Sequence, residues 1–149
     1  MKKQILTYAF LVLGTISFVA CSDDDDGNVD TEKPVIVLNE PTEGEIFTVG
    51  SEIHIDADFS DNVALASYKI DIHSADDGHT HKNEEEGEWH YTETHLIEGD
   101  LKNHHIHSHI DIPTTVDGTD IMLGHYHLGI YLVDTSGNEQ QLFTEIEIQ

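Results

Sequence analysis

From Pro34 to Gln149 the apolar residues recur at every second position rather than at the 3.6-residue interval of a helix, and this alternation predicts strands. The candidates are Val35 to Leu38, Glu52 to Ser60, Ala66 to His73, Trp89 to Leu96, His105 to Ile112, Tyr126 to Asp134 and Gln141 to Ile148. Turn-forming clusters separate them at Pro41-Thr42-Glu43-Gly44, Ser60-Asp61-Asn62, Val116-Asp117-Gly118 and Ser136-Gly137-Asn138. A sheet that is apolar on one face must bury that face against another layer. About seven short strands without a helical segment therefore predict an all-β, two-sheet antiparallel sandwich of immunoglobulin-like (Ig-like) type. Tyr126, two residues before an inward Leu128, stands where the tyrosine corner of such a sandwich falls. The expected core is Ile53, Ile55, Ala57, Phe59, Tyr68, Ile70, Ile72, Ile106, Ile110, Ile112, Leu128, Ile130, Leu132, Leu142, Ile146 and Ile148.

The first residues follow a different rule. Met1-Lys2-Lys3 precedes an apolar run from Ile5 through Ala20 and then Cys21, the pattern of a basic n-region, an h-region and a small residue before a cysteine. Phe18-Val19-Ala20-Cys21 resembles a lipobox, so residues 1–20 read as a signal peptide and Cys21 as the lipidated first residue of the mature chain. Residues 21–33 hold Asp23-Asp24-Asp25-Asp26 and almost nothing apolar, the composition of a flexible acidic tether. The tract resembles the surface-export signal of Bacteroidota lipoproteins, which implies a lipid-anchored outer-membrane protein facing the medium. The folded domain then spans residues 34–149.

Charge narrows the partners. Acidic residues number 30 against 6 Lys, with no Arg, for a net charge of −24. Such a field repels nucleic acid and concentrates cations. Cys21 is the single cysteine, so the chain has no intrachain disulfide and no thiolate metal site.

The 12 histidines outnumber the 11 glycines, and their spacing matters more than their number. His105, His107 and His109 alternate with Ile106, Ser108 and Ile110, which puts three imidazoles on one outward face if the isoleucines point inward. His125 and His127 alternate likewise with Tyr126 and Leu128. A His-x-His pair on a strand holds its Cα atoms roughly 6.5 to 7 Å apart on one face, and both rings then reach one ion at about 2 Å. Neighbouring strands complete the set. One candidate site is His54 with His105, His107 or His109, joined by Asp56 or Asp111, and a second is His73 with His125 and His127. The segment after His73 adds His79 and His81, placed to fold over the second site. His90, His95 and His104 read as ordinary solvated side chains. Imidazole with carboxylate and no thiolate suits zinc, copper or nickel as divalent ions, of which zinc and copper lead.

Several stretches carry a family resemblance: Ser60-Asp61-Asn62 with Leu65 and Ser67-Tyr68-Lys69-Ile70, Asp77-Gly78-His79-Thr80-His81, His107 through Pro113, and Asp134-Thr135-Ser136-Gly137-Asn138. These resemble His-rich single-domain Ig-like lipoproteins of Bacteroidota, catalogued only as a domain of unknown function. The resemblance implies an Ig-like fold and a cell-surface setting, and no activity. No nucleophile elbow, phosphate-cradling loop or zinc-protease helix occurs, so the expectation is a non-enzymatic surface lipoprotein that binds zinc or copper. The alternative is an Ig-like interaction or adhesion module for a protein or glycan, with Trp89, Tyr91 and Tyr131 as its aromatic contacts.

Overall fold

The computed structural model describes residues 29–75 and 87–149. The expectations placed on the signal peptide, Cys21, the Asp tract, His79 and His81 lie outside the described residues. Ten strands follow in order: β1 (Val35–Glu40), β2 (Glu45–Phe47), β3 (Glu52–Ser60), β4 (Leu65–Ser74), β5 (His90–Leu96), β6 (Asn103–Asp111), β7 (Thr115–Val116), β8 (Thr119–Asp120), β9 (Gly124–Asp134) and β10 (Glu139–Ile148). Among the described residues there is no helix. The strands form a three-stranded sheet, β1-β3-β6, and a five-stranded sheet, β2-β10-β9-β4-β5. All pairs are antiparallel except β2 with β10.

The period-two pattern is the cause of the two layers. Along β3 the residues Ile53, Ile55, Ala57 and Phe59 are buried, and along β4 the residues Tyr68, Ile70 and Ile72 are buried, while the residues between them face outward. With Leu128, Ile130, Leu132, Ile146 and Ile148 they form one core. Leu142 departs from its expected burial: it lies beyond the Ile146–Ile148 stretch that β2 flanks, and it is half-buried. Trp89, Ile97 and Ile121 join the core from outside the strands, and Trp89 packs on Tyr126 with ring centroids 5.9 Å apart. The Tyr126 hydroxyl donates to the Met122 carbonyl 2.7 Å away, the backward reach of a tyrosine corner.

The β7–β8 hairpin turns on Asp117 and Gly118, both at positive φ (52° and 82°), as a tight primed turn requires. Gly87 bridges to Ile121 beside it, and a Cβ at Gly87 would lie 2.9 Å from that of Val116, so only glycine fits. Along the sheet edge Glu43 ties the β1–β2 connection to β10: its Oε2 accepts from Thr144 Oγ1 at 2.7 Å and from the Glu145 amide at 3.1 Å. These bonds hold the Glu43 carboxyl below the ordinary glutamate range. A depressed carboxyl contributes stability above its unfolded value of about 4.3 and loses it as the pH falls through the folded value. A carbon-detected NMR titration should therefore place the Glu43 midpoint below the ordinary glutamate value of about 4.3.

The position of β5 differs from the Ig constant-type order. It pairs with β4 and extends the five-stranded sheet, instead of joining the sheet of β3 and β6. This placement sets His90 opposite His73.

Candidate metal centre

The outer face of β1-β3-β6 is built as a ladder of imidazoles and carboxylates. Antiparallel register places His54 opposite His109, Asp56 opposite His107 and Asp58 opposite His105. Directly opposed side chains on one face lie close enough to interact. Ile106 and Ile110 anchor β6 in the core, so His105, His107 and His109 all project outward and are exposed.

The ring nitrogens then fall into a specific arrangement. His107 Nε2 and His109 Nε2 lie 3.2 Å apart. Two vertices of a tetrahedron around an ion with bonds of about 2.0 to 2.1 Å are separated by ~3.3 Å, so the two nitrogens already hold the spacing of neighbouring ligands. Their other nitrogens face carboxylates: His109 Nδ1 lies 3.3 Å from Glu52 Oε2 and His107 Nδ1 lies 3.5 Å from Asp56 Oδ2. A carboxylate on the far nitrogen fixes the tautomer and turns the free nitrogen outward, the usual support behind a metal-binding histidine. His54 completes the cluster edge-on to His109, with centroids 4.3 Å apart. Ligand atoms of Glu52, His54 and His109 all lie within 4.8 Å of one another.

A second group of the same kind, Asp56, Asp58 and His105, adjoins it. His105 Nδ1 is 3.0 Å from Asp58 Oδ1, and its Nε2 is 3.6 Å from Asp56 Oδ2. Asn39 fixes both aspartates, its Nδ2 donating to Asp56 Oδ1 at 2.8 Å and to Asp58 Oδ2 at 3.0 Å. It can do so because the β1 register slips between Leu38 and Glu40, leaving Asn39 as the extra residue of a bulge. The hydrogen bond from Asn39, then that from His105, holds the Asp58 carboxyl below its ordinary range.

Asp111 takes no part; it stands opposite Glu52 at the end of the ladder and outside both groups. Glu52 and Asp58 were absent from the ligands expected from sequence. Glu52 shares the outward parity of His54, two residues away, and that signal was sufficient to find it.

On the opposite side of the sandwich the second expected site is rearranged. His73 does stand opposite His127, with ring centroids 5.6 Å apart. His125 instead turns toward β10, its Nδ1 3.0 Å from Glu145 Oε1. Its place is taken by His90, 6.2 Å from His73 between centroids. Asp71 bridges the two, with Oδ1 2.8 Å from His73 Nδ1 and Oδ2 3.3 Å from His90 Nε2. Burial pushes the Asp71 carboxyl up, but hydrogen bonds from His73 and His90 outweigh it and hold the group below its ordinary range. His90 is thus a cluster member rather than a solitary solvated residue. His95 and His104 also depart from that expectation, since both are half-buried on the inward parity of their strands. His95 stacks on Tyr68 at 4.7 Å, and His104 lies 6.0 Å from the same ring.

The aromatic residues considered for glycan contact are largely committed elsewhere. Trp89 is buried, and Tyr91 lies on the inward parity of β5, hydrogen-bonded to Glu93, where burial and that partner push its phenol up to about 12. Tyr131 remains outward, but Lys69 Nζ sits 3.9 Å over its ring and Phe143 meets it edge-on.

Two sheets of three and five strands with β5 added beside β4 define a sandwich module of the Ig and fibronectin type. The chain belongs to the family described as "Domain of unknown function (DUF4625)", whose model matches residues 19–149. Among curated proteins, none matches the sequence. Among solved structures, the chain is similar to wild-type OgpA from Akkermansia muciniphila, with a TM-score of 0.52 and 10% identity over 79% of this chain. It spans 30% of that longer protein. A weaker likeness, at a TM-score of 0.41 and 17% identity, is to the fibronectin(III)-like modules of Clostridium thermocellum CbhA, covering 76% of this chain and 94% of that one. Identities this low speak to fold alone.

Proposed function

We propose that this protein is a lipid-anchored, surface-exposed outer-membrane module that binds zinc or copper through the outward histidines of β3 and β6. The observation that carries the reading is the pairing of His107 Nε2 and His109 Nε2 at 3.2 Å, each ring backed by a carboxylate, with His54 edge-on to His109. Nitrogen and carboxylate donors without thiolate suit zinc and divalent copper. The net charge of −24 draws cations toward the same face. The face is open rather than recessed, which fits capture and relay of an ion better than hydrolysis at an enclosed centre.

The interaction-module alternative rests on Phe143, 55% exposed beside Tyr131. Because Lys69 caps the Tyr131 ring, the pair does not present the flat platform on which a sugar stacks.

Calorimetric titration of the full chain in detergent, without a polyhistidine tag, separates the readings. Zinc or copper should bind saturably with a dissociation constant below about 1 μM at pH 7.5, and binding should disappear near pH 5, where protons occupy the imidazoles. Weak, non-saturating uptake at pH 7.5 would remove the metal reading in favour of the interaction module.

A further inference from the structure

The three carboxylates of Asp30, Asp61 and Asp134 meet at the end of the sandwich where the β3–β4 and β9–β10 turns lie. Asp30 precedes β1, Asp61 opens the β3–β4 turn, and Asp134 closes β9. One oxygen from each lies within 4.8 Å of the others. Asp134 is 2% exposed.

An acidic cluster alone would say little, but here two oxygens are stranded. Asp30 Oδ2 and Asp61 Oδ1 are shielded from solvent and have no hydrogen-bond partner. Their sister oxygens are occupied: Asp30 Oδ1 accepts from Asn62 Nδ2 at 3.0 Å and from the Glu32 amide at 3.1 Å, and Asp61 Oδ2 accepts from the Val63 amide at 2.7 Å. Asp134 is held by the Ser136 and Asn138 amides, both at 2.8 Å, and by Asn138 Nδ2 at 2.7 Å. Asn138 Nδ2 also reaches the Asp30 carbonyl at 3.1 Å. Among the described residues no ion pair joins any of the three carboxylates to a cation, and Lys102 Nζ is engaged on the Asn62 carbonyl at 2.6 Å. Buried carboxylate oxygens without a donor, beside two further carboxylates, are costly unless a cation sits between them.

We propose that Asp30, Asp61 and Asp134 form a calcium site. The donors are all oxygen, with neither imidazole nor thiolate, which selects a hard ion over zinc or copper. They come from three separate segments in an irregular arrangement, which calcium tolerates and magnesium, with its demand for near-ideal octahedral geometry, does not. The site gives a common purpose to the Ser60-Asp61-Asn62 and Asp134-to-Asn138 stretches, since each supplies one carboxylate and one asparagine that holds Asp30, Asn62 through its carboxylate and Asn138 through its backbone carbonyl. Through Asp30 the ion pins the segment leading into β1 against the β3–β4 and β9–β10 turns.

The test is thermal unfolding of the full chain in detergent after chelator treatment, with calcium or magnesium added at constant ionic strength. Extracellular modules bind calcium at about 0.1 to 1 mM, so ~5 mM calcium should raise the melting temperature by about 5 °C or more, saturably. Magnesium should give less than half that shift. Asp30→Asn and Asp61→Asn each remove one charge while keeping the size. Both should fold, melt within about 3 °C of the parent without calcium, and lose the calcium-dependent shift. A His54→Ala, His109→Ala double variant should keep it, which separates this site from the histidine face. Absence of a calcium shift in the parent, an equal shift with magnesium, or an undiminished shift in both asparagine variants would overturn the assignment. Should either variant fail to fold, calorimetric titration of the parent decides: one calcium per chain supports the site, and none overturns it.

Discussion

Replacing His54, His107 and His109 together with alanine is expected to lower zinc or copper affinity by at least about 100-fold, since loss of even a supporting contact commonly costs 10- to 100-fold. The melting temperature of the metal-free chain should move by only about 2 to 4 °C. All three side chains are exposed, and their contacts are with one another and with Glu52 and Asp56 at the surface, where such ion pairs contribute about 0 to 1 kcal/mol. Calorimetric titration of the variant beside the parent reads the first quantity, and circular dichroism on heating reads the second. A large loss of stability with unchanged affinity would show that the three rings serve packing rather than binding.

Tyr126→Ala is expected to be the most damaging single substitution in the core. The side chain is fully buried, packs on Trp89 and donates to the Met122 carbonyl. Truncating a buried aromatic to alanine costs about 3 to 5 kcal/mol through lost burial and the cavity left behind. For a domain of this size that lowers the melting temperature by roughly 10 to 20 °C. Tyr126→Phe keeps the ring and removes only the hydroxyl, leaving the Met122 carbonyl without its donor, for about 1 to 3 kcal/mol. Urea unfolding of the two variants should rank them in that order. Equal stability of Tyr126→Phe and the parent would mean that water replaces the hydroxyl and that the corner bond contributes nothing net.

The strands that carry the first imidazole face were legible because apolar residues recur at every second position along β3, and because Ile106 and Ile110 share one parity along β6 while His105, His107 and His109 share the other. One buried residue fixes the parity of all the others. The same logic identified the core of β4 and β9. It failed at β5, where His90, Thr92 and Thr94 alternate with Tyr91, Glu93 and His95, so neither face is plainly apolar. The sheet that such a strand joins is decided by long-range pairing, and no local pattern records it. His90 therefore reads from sequence as an ordinary solvated side chain, and only the pairing of β5 with β4 sets it beside His73. Strands β2, β7 and β8 are two or three residues long, too short for a period to register. Asn39 and the Asp30, Asp61, Asp134 group depend on a bulge and on turns that converge from distant parts of the chain. Sequence spacing is silent on such convergence, although the individual motifs were visible.

The two histidine clusters lie on the outer faces of different sheets and so look out from opposite sides of the sandwich. They are also unlike in composition, one built on Glu52, His54, His107 and His109, the other on Asp71, His73, His90 and His127. If an ion were ever shared between one copy's first face and another's second, the contact would be head-to-tail rather than self-complementary. Such a junction does not close on itself after two copies, and repetition leads to a ring or an open filament. Under the proposed anchoring and metal binding, modules crowded on a membrane would then be strung in rows, with the length of the row set by how much metal is present.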